Sequence, residues 1–143
     1  MKIAITGKGG VGKTTFSSML SRMFADDGYR VVAVDADPDA NLGLALGFPK
    51  EVYESIVPIS EMKNLVNERT AAESGTFNKM FKLNPKVDDI PDNFCKEYNG
   101  VRLLTLGTVD SGGSGCVCPE HVLLKRLCSH LILQNKDVVI MDM

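Results

Sequence analysis

The sequence has no apolar run long enough to span a bilayer. Its start, MKIAITGKGG, passes from a short apolar strand into glycine and lacks the regions of a secretory signal. These absences lead to the expectation of a cytoplasmic protein with no membrane partner. Net charge is also scarce. Sixteen Lys and Arg face 18 Asp and Glu, a balance of -2, which offers no footing for a broad nucleic-acid surface. No nucleic-acid partner is expected. Cysteine is sparse, with four in 143 residues. In a cytoplasmic chain that number reads as buried thiols or ligands, not as a disulfide scaffold. There are no internal repeats, and the length supports one core.

What is present begins at once. KIAITGKGGVGKTT is a strand running into a glycine-rich loop with two lysines. In a phosphate-binding loop, backbone N–H groups wrap around phosphate oxygens, while a lysine and the following hydroxyl serve the terminal phosphate and Mg²⁺. Gly7 and Gly12 frame the loop, and Gly9, Gly10 and Val11 lie between them. Lys13 is the phosphate lysine, Thr14 the magnesium hydroxyl, and Thr15 follows. The alternative, an incidental glycine-rich turn, does not require a strand before it and a helix after it.

The pattern predicts strands over 2–6, from Arg30 to Asp37, over 101–106 and over 138–141. Val31 to Val34 form a continuous apolar run, as in a buried parallel strand. Phe16, Met19, Leu20 and Met23 share the helical spacing, so 14–27 is expected to form a helix with one apolar face, ended by Gly28. Further helices are expected from Asp39 or Asn41 to Leu46, over 60–73 and over 119–133, where Pro119 suits a first turn. Residues 75–94 and 108–118 read as loops. Strand, helix and strand in this order imply an α/β fold with a mostly parallel sheet flanked by helices.

In an open parallel sheet, ligands bind beyond the carboxyl ends of the strands. Asp35 and Asp37 follow the second strand, and Asp142 follows the last. Asp35, nearer the strand, suits the metal side. Asp37, in the loop, suits the positioning of a water that attacks the γ-phosphate. Asp142 occupies the place of an acid that closes a magnesium shell. The bland reading of DADPDA is a solvated acidic turn.

Cys116 and Cys118 form a CxC pair in a Gly/Ser loop. Two thiolates supply half of a tetrahedral metal site. Cys95 and Cys128 read as buried small hydrophobes. A second copy of the chain, meeting the first about a twofold axis, would complete an S₄ site for Zn²⁺, Ni²⁺ or an iron–sulfur cluster. A redox-active dithiol is the other functional reading.

The string KGGVGKTT closely resembles the deviant phosphate-binding loop of the MinD/ParA/nitrogenase iron-protein class of P-loop NTPases. The resemblance implies that Lys8 serves phosphates held by the partner in a nucleotide-sandwich homodimer. DADPDANLG resembles that class's first switch, with Asp37 as the water-activating residue, and VVIMDM resembles the strand entering its second. DADPDANLGLALG, FKLNPKVDDIP and TVDSGGSGCVCPEHVLL together resemble the accessory ATPases that insert nickel into carbon monoxide dehydrogenase. That likeness implies ATP and Mg²⁺ as cofactors, with hydrolysis to ADP and phosphate where the working protein is complete. It also implies nickel or zinc on Cys116 and Cys118 at a dimer interface, and carbon monoxide dehydrogenase as client. Members of the family continue well past the strand that ends here, so 1–143 is expected to be the N-terminal portion of one P-loop NTPase domain, incomplete at its C-terminus. The competing expectations are a positioning or partition ATPase, an iron–sulfur reductase component and an inactive remnant.

Overall fold

A computed structural model describes residues 1–71, 82–108, 118–133 and 137–143. Its centre is a five-stranded sheet: β1 (Lys2–Ile5), β2 (Val31–Asp35), β3 (Lys96–Tyr98), β4 (Val101–Thr105) and β5 (Val138–Asp142). The spatial order is β1-β5-β2-β4-β3, with all pairs parallel except the antiparallel β3–β4 pair. That hairpin turns at Asn99 and Gly100, both at positive φ, the two-residue geometry that matches strand twist.

Helices α1 (Lys13–Asp26), α2 (Leu42–Ala45), α3 (Lys50–Glu54), α4 (Lys63–Thr70), α5 (Ile90–Phe94) and α6 (Pro119–Leu133) flank the sheet. Every residue of β2 and of β5 is buried, as strands covered on both faces must be. Alternation along them feeds two cores. Val32, Val34, Leu104, Val139 and Met141 meet Leu65, Val66, Leu123, Leu127 and Leu131 of α4 and α6. Val31, Ala33, Leu103, Val138 and Ile140 meet Leu42, Leu46 and Phe48 on the other face. Each fully buried leucine contributes about 1.5–3 kcal/mol.

The structure corrects four expectations. Of the apolar stripe expected on α1, only Leu20 packs against the core; Phe16, Met19 and Met23 are exposed, whereas Ser17, Ser18 and Ser21 are buried. These serines donate to the carbonyls of Lys13, Thr15 and Ser17, so they can be buried without unsatisfied hydroxyls. Small side chains on this face also let the helix lie close to the sheet. The predicted 60–73 helix is shorter, spanning Lys63–Thr70 after a 3₁₀ turn at Ile59–Glu61. Helix α5, with Pro91 in its first turn, forms inside the stretch expected to be irregular. Helix α3 and strand β3 form where neither was expected.

Candidate functional site

The parallel register brings Ile5, Asp35, Thr105 and Asp142 level at the carboxyl end of the sheet. From β1 the chain leaves through the glycine loop, which reaches left-handed backbone at Gly10 (φ +79°) and Gly12 (φ +88°), a region glycine enters without steric penalty. Gly12 directly precedes α1. The loop therefore lies at the amino terminus of a 14-residue helix, where free N–H groups and the helix dipole favour an anion. Lys8 is exposed on this loop, and Thr14 is half-buried at the start of the helix.

Across the loop stand the carboxylates. Lys13 Nζ lies 3.9 Å from Asp37 Oδ2, with both side chains largely withdrawn from water. Asp35 is buried, and both its oxygens face backbone donors: the N–H of Asp37 at 3.3 Å and the N–H of Leu42 at 2.9 Å. Its carboxylate thus clasps both ends of the acidic loop. Burial pushes the Asp35 carboxyl up to about 6, against the lowering effect of those two N–H groups, and the negative charge of Asp142 adds to the rise.

Asp142 is fully buried. Its Oδ1 lies 3.1 Å from the Ser17 hydroxyl, which shares its single proton with the Lys13 carbonyl at 2.9 Å. Its Oδ2 has no hydrogen-bond partner among the described residues. A buried carboxylate oxygen left open beside a phosphate-loop helix suits a cation or its bound water. Ser17 was missed by sequence reasoning, although three serines on an apolar helix were a readable signal.

The four cysteines divide. Cys95 and Cys128 pack against the core; burial pushes the Cys95 thiol up to about 11 and raises that of Cys128. Both fit the reading as small hydrophobes. Cys118 is half-buried and free, and its carbonyl accepts the N–H of Val122 in the first turn of α6. Cys116 lies outside the described residues, and so does the geometry of the CxC pair. Among the described residues, no cluster of three or more His, Cys, Asp or Glu could hold a metal. None of the described helices is long and apolar enough to cross a membrane.

Comparison with known proteins agrees with this geometry. Residues 2–143 match the CobQ/CobB/MinD/ParA nucleotide binding domain. The chain is 54% identical over its whole length to the carbon monoxide dehydrogenase accessory protein CooC of Rhodospirillum rubrum, covering 54% of that protein. It is 52% identical over its whole length to an uncharacterized ATP-binding protein of Methanocaldococcus jannaschii, again covering 54%. A light-independent protochlorophyllide reductase iron-sulfur ATP-binding protein from Methylocella silvestris is 31% identical over 97% of this chain and 39% of its own. The chain spans about half the length, or less, of these curated relatives.

Proposed function

The chain belongs to the CobQ/CobB/MinD/ParA nucleotide-binding domain family, and on that premise we propose that it is the ATP-binding part of an accessory ATPase that supports nickel insertion into carbon monoxide dehydrogenase. The observation that carries the proposal is the carboxyl end of the sheet. There a left-handed glycine loop, Lys13 beside Asp37 and the open oxygen of Asp142 converge. The 54% identity to CooC across the whole chain supports the choice of client.

In this reading the loop N–H groups and Lys13 hold the β- and γ-phosphates. Asp37 leaves its pairing with Lys13 and accepts a hydrogen bond from the attacking water, orienting it toward the γ-phosphorus. Water adds its oxygen to that phosphorus as the bond to the β–γ bridging oxygen breaks, giving ADP and inorganic phosphate. Thr14 and Asp142 fit a magnesium ion, which when bound supplies neutralising charge to the phosphates. Asp35 acts from behind by fixing the loop that carries Asp37.

Lys8, exposed at the loop, serves the phosphates held by a second copy, so nucleotide favours a homodimer. Closing that dimer brings two CxC pairs, Cys116 and Cys118 from each copy, into one four-sulfur site for nickel or zinc. Separate sites make a sharp test. Cys118→Ser removes metal, about one ion per two chains in the parent protein by elemental analysis, and leaves ATP affinity within about twofold. Parallel loss of nucleotide binding would sink the separation of sites. The 31% identity to an iron-sulfur ATP-binding protein supports one competing reading, an iron–sulfur cluster held between two copies. Visible absorption after anaerobic purification, with iron in place of nickel or zinc, would favour it.

A further inference from the structure

The turn that carries Asp37 is held at a place the nucleotide motifs do not include. Ala40 has φ +35°, in the left-handed region that residues with a side chain enter against a steric penalty. Its N–H donates to the Asp37 carbonyl at 3.0 Å, and the N–H of Asp39 donates to Asp37 Oδ1 at 3.0 Å. The carbonyl of Ala40 in turn accepts the hydroxyl of Tyr53, a residue of α3.

The ring of Tyr53 is seated closely. A Cβ on Gly43 would come within 2.6 Å of Tyr53 Cδ2 and 2.9 Å of Leu103 Cδ2. Gly43, which weakens the short helix it sits in, thus leaves room for the tyrosine. At the other end of α2, Arg22 of α1 donates to the Leu46 carbonyl at 2.6 Å. The Asp37 turn is therefore fastened on two sides, to α3 through Tyr53 and, by way of α2, to the helix that begins at the glycine loop. Burial and the nearby charge of Asp35 both raise the phenol, so at neutral pH it remains a donor.

We propose that Tyr53 is a positioning residue for hydrolysis: its hydroxyl fixes the Ala40 carbonyl and so aims the Asp37 carboxylate at the terminal phosphate. This rests on the reading of Asp37 as the residue that orients water. Tyr53→Phe keeps the ring on Gly43 and deletes only the hydroxyl.

Three readouts on the parent protein and Tyr53→Phe decide the matter: affinity for a fluorescent ATP analogue, single-turnover ATP hydrolysis, and amide hydrogen exchange over 36–42. The expected result is exchange over 36–42 faster by about tenfold and hydrolysis slower by about tenfold, the size of one hydrogen bond, with affinity within twofold. Unchanged exchange, or faster exchange with unchanged hydrolysis, overturns the proposal. So does an equal fall in affinity, which would mark a general structural role. A parent protein that neither binds nor hydrolyses ATP would instead break the functional reading. The exchange arm would then still decide whether the Tyr53 hydroxyl orders the Asp37 turn, with unchanged exchange overturning that claim.

Discussion

The two ends of the sheet use the same kind of side chain in opposite ways. At the amino end, Asp137 receives Arg102 at 3.3 Å and Arg30 at 3.5 Å, and Arg102 also reaches Asp92 at 2.8 Å and the Pro91 carbonyl. Lys2 donates to the Asp137 carbonyl at 2.9 Å. At the carboxyl end, Asp35 and Asp142 are buried side by side, and neither forms an ion pair with a described residue. Asp35 holds its proton up to about pH 6, and one oxygen of Asp142 has no hydrogen-bond partner among the described residues. Paired charge at one end holds strands together. Unpaired charge at the other lowers stability and makes sense as a place kept for a cation and phosphates.

The largest expected effect breaks the carboxyl end's chemistry. Asp37→Asn should lower ATP hydrolysis by about two to three orders of magnitude, a typical loss for a residue that acts on the attacking group. ATP affinity and melting temperature should change little. Steady-state phosphate release beside calorimetric titration checks it, and undiminished turnover would remove Asp37 from the reaction.

The next effect lies at the amino end. Arg102→Met deletes the cation from a pair whose side chains are 13% and 10% exposed, taking from the Asp137 carboxylate a partner largely withdrawn from water. Breaking such a pair costs about 3 kcal/mol, read as a lower urea midpoint. Hydrolysis corrected for folded protein should stay the same. A stability loss under 1 kcal/mol would erase the contrast between the two ends.

Acidity sharpens the comparison from the other side. Asp35 has a folded-state value of about 6 against an ordinary 3.8. Between those values the folded protein holds a proton that the unfolded chain releases. This contribution therefore makes stability fall as pH rises, from no penalty below about 4 to about 3 kcal/mol above 6. Urea unfolding of the metal-free protein at pH 5 and 7.5 measures the slope. Asp142→Asn removes one source of the shift, so it should flatten that slope and raise stability at pH 7.5 by about 1 kcal/mol. An unchanged slope would mean the two acids do not sense each other.

Much of this architecture was readable beforehand, because it rests on local pattern. RVVAVDAD read as a buried strand, and the five residues of it that form β2, Val31–Asp35, are all buried. Pro119 to Leu133 read as a helix and is one. The glycine loop, Asp35, Asp37 and Asp142 were placed at strand ends by order alone, and parallel register brings them together. What escaped depends on partners distant in sequence. Hydrophobicity placed Phe16, Met19 and Met23 on the inner face of α1, but hydroxyls that satisfy themselves on the helix backbone compete for that face. Asn99-Gly100 was a hairpin signal hidden by the shortness of β3. Tyr53 had no local signal, since its role exists only where α3 folds back onto Gly43 and Ala40. The CxC pair is plain in sequence, but Cys116 lies outside the described residues.

The most direct test of the central claim is a calorimetric titration of ATP with Mg²⁺ into the parent protein and Lys13→Ala. The account predicts saturable binding near one nucleotide per chain, weakened at least about a hundredfold when the loop lysine is removed, with the fold intact by circular dichroism. Equal affinity in the two proteins, or no binding by a folded parent, would contradict the assignment of the carboxyl end as a nucleotide site.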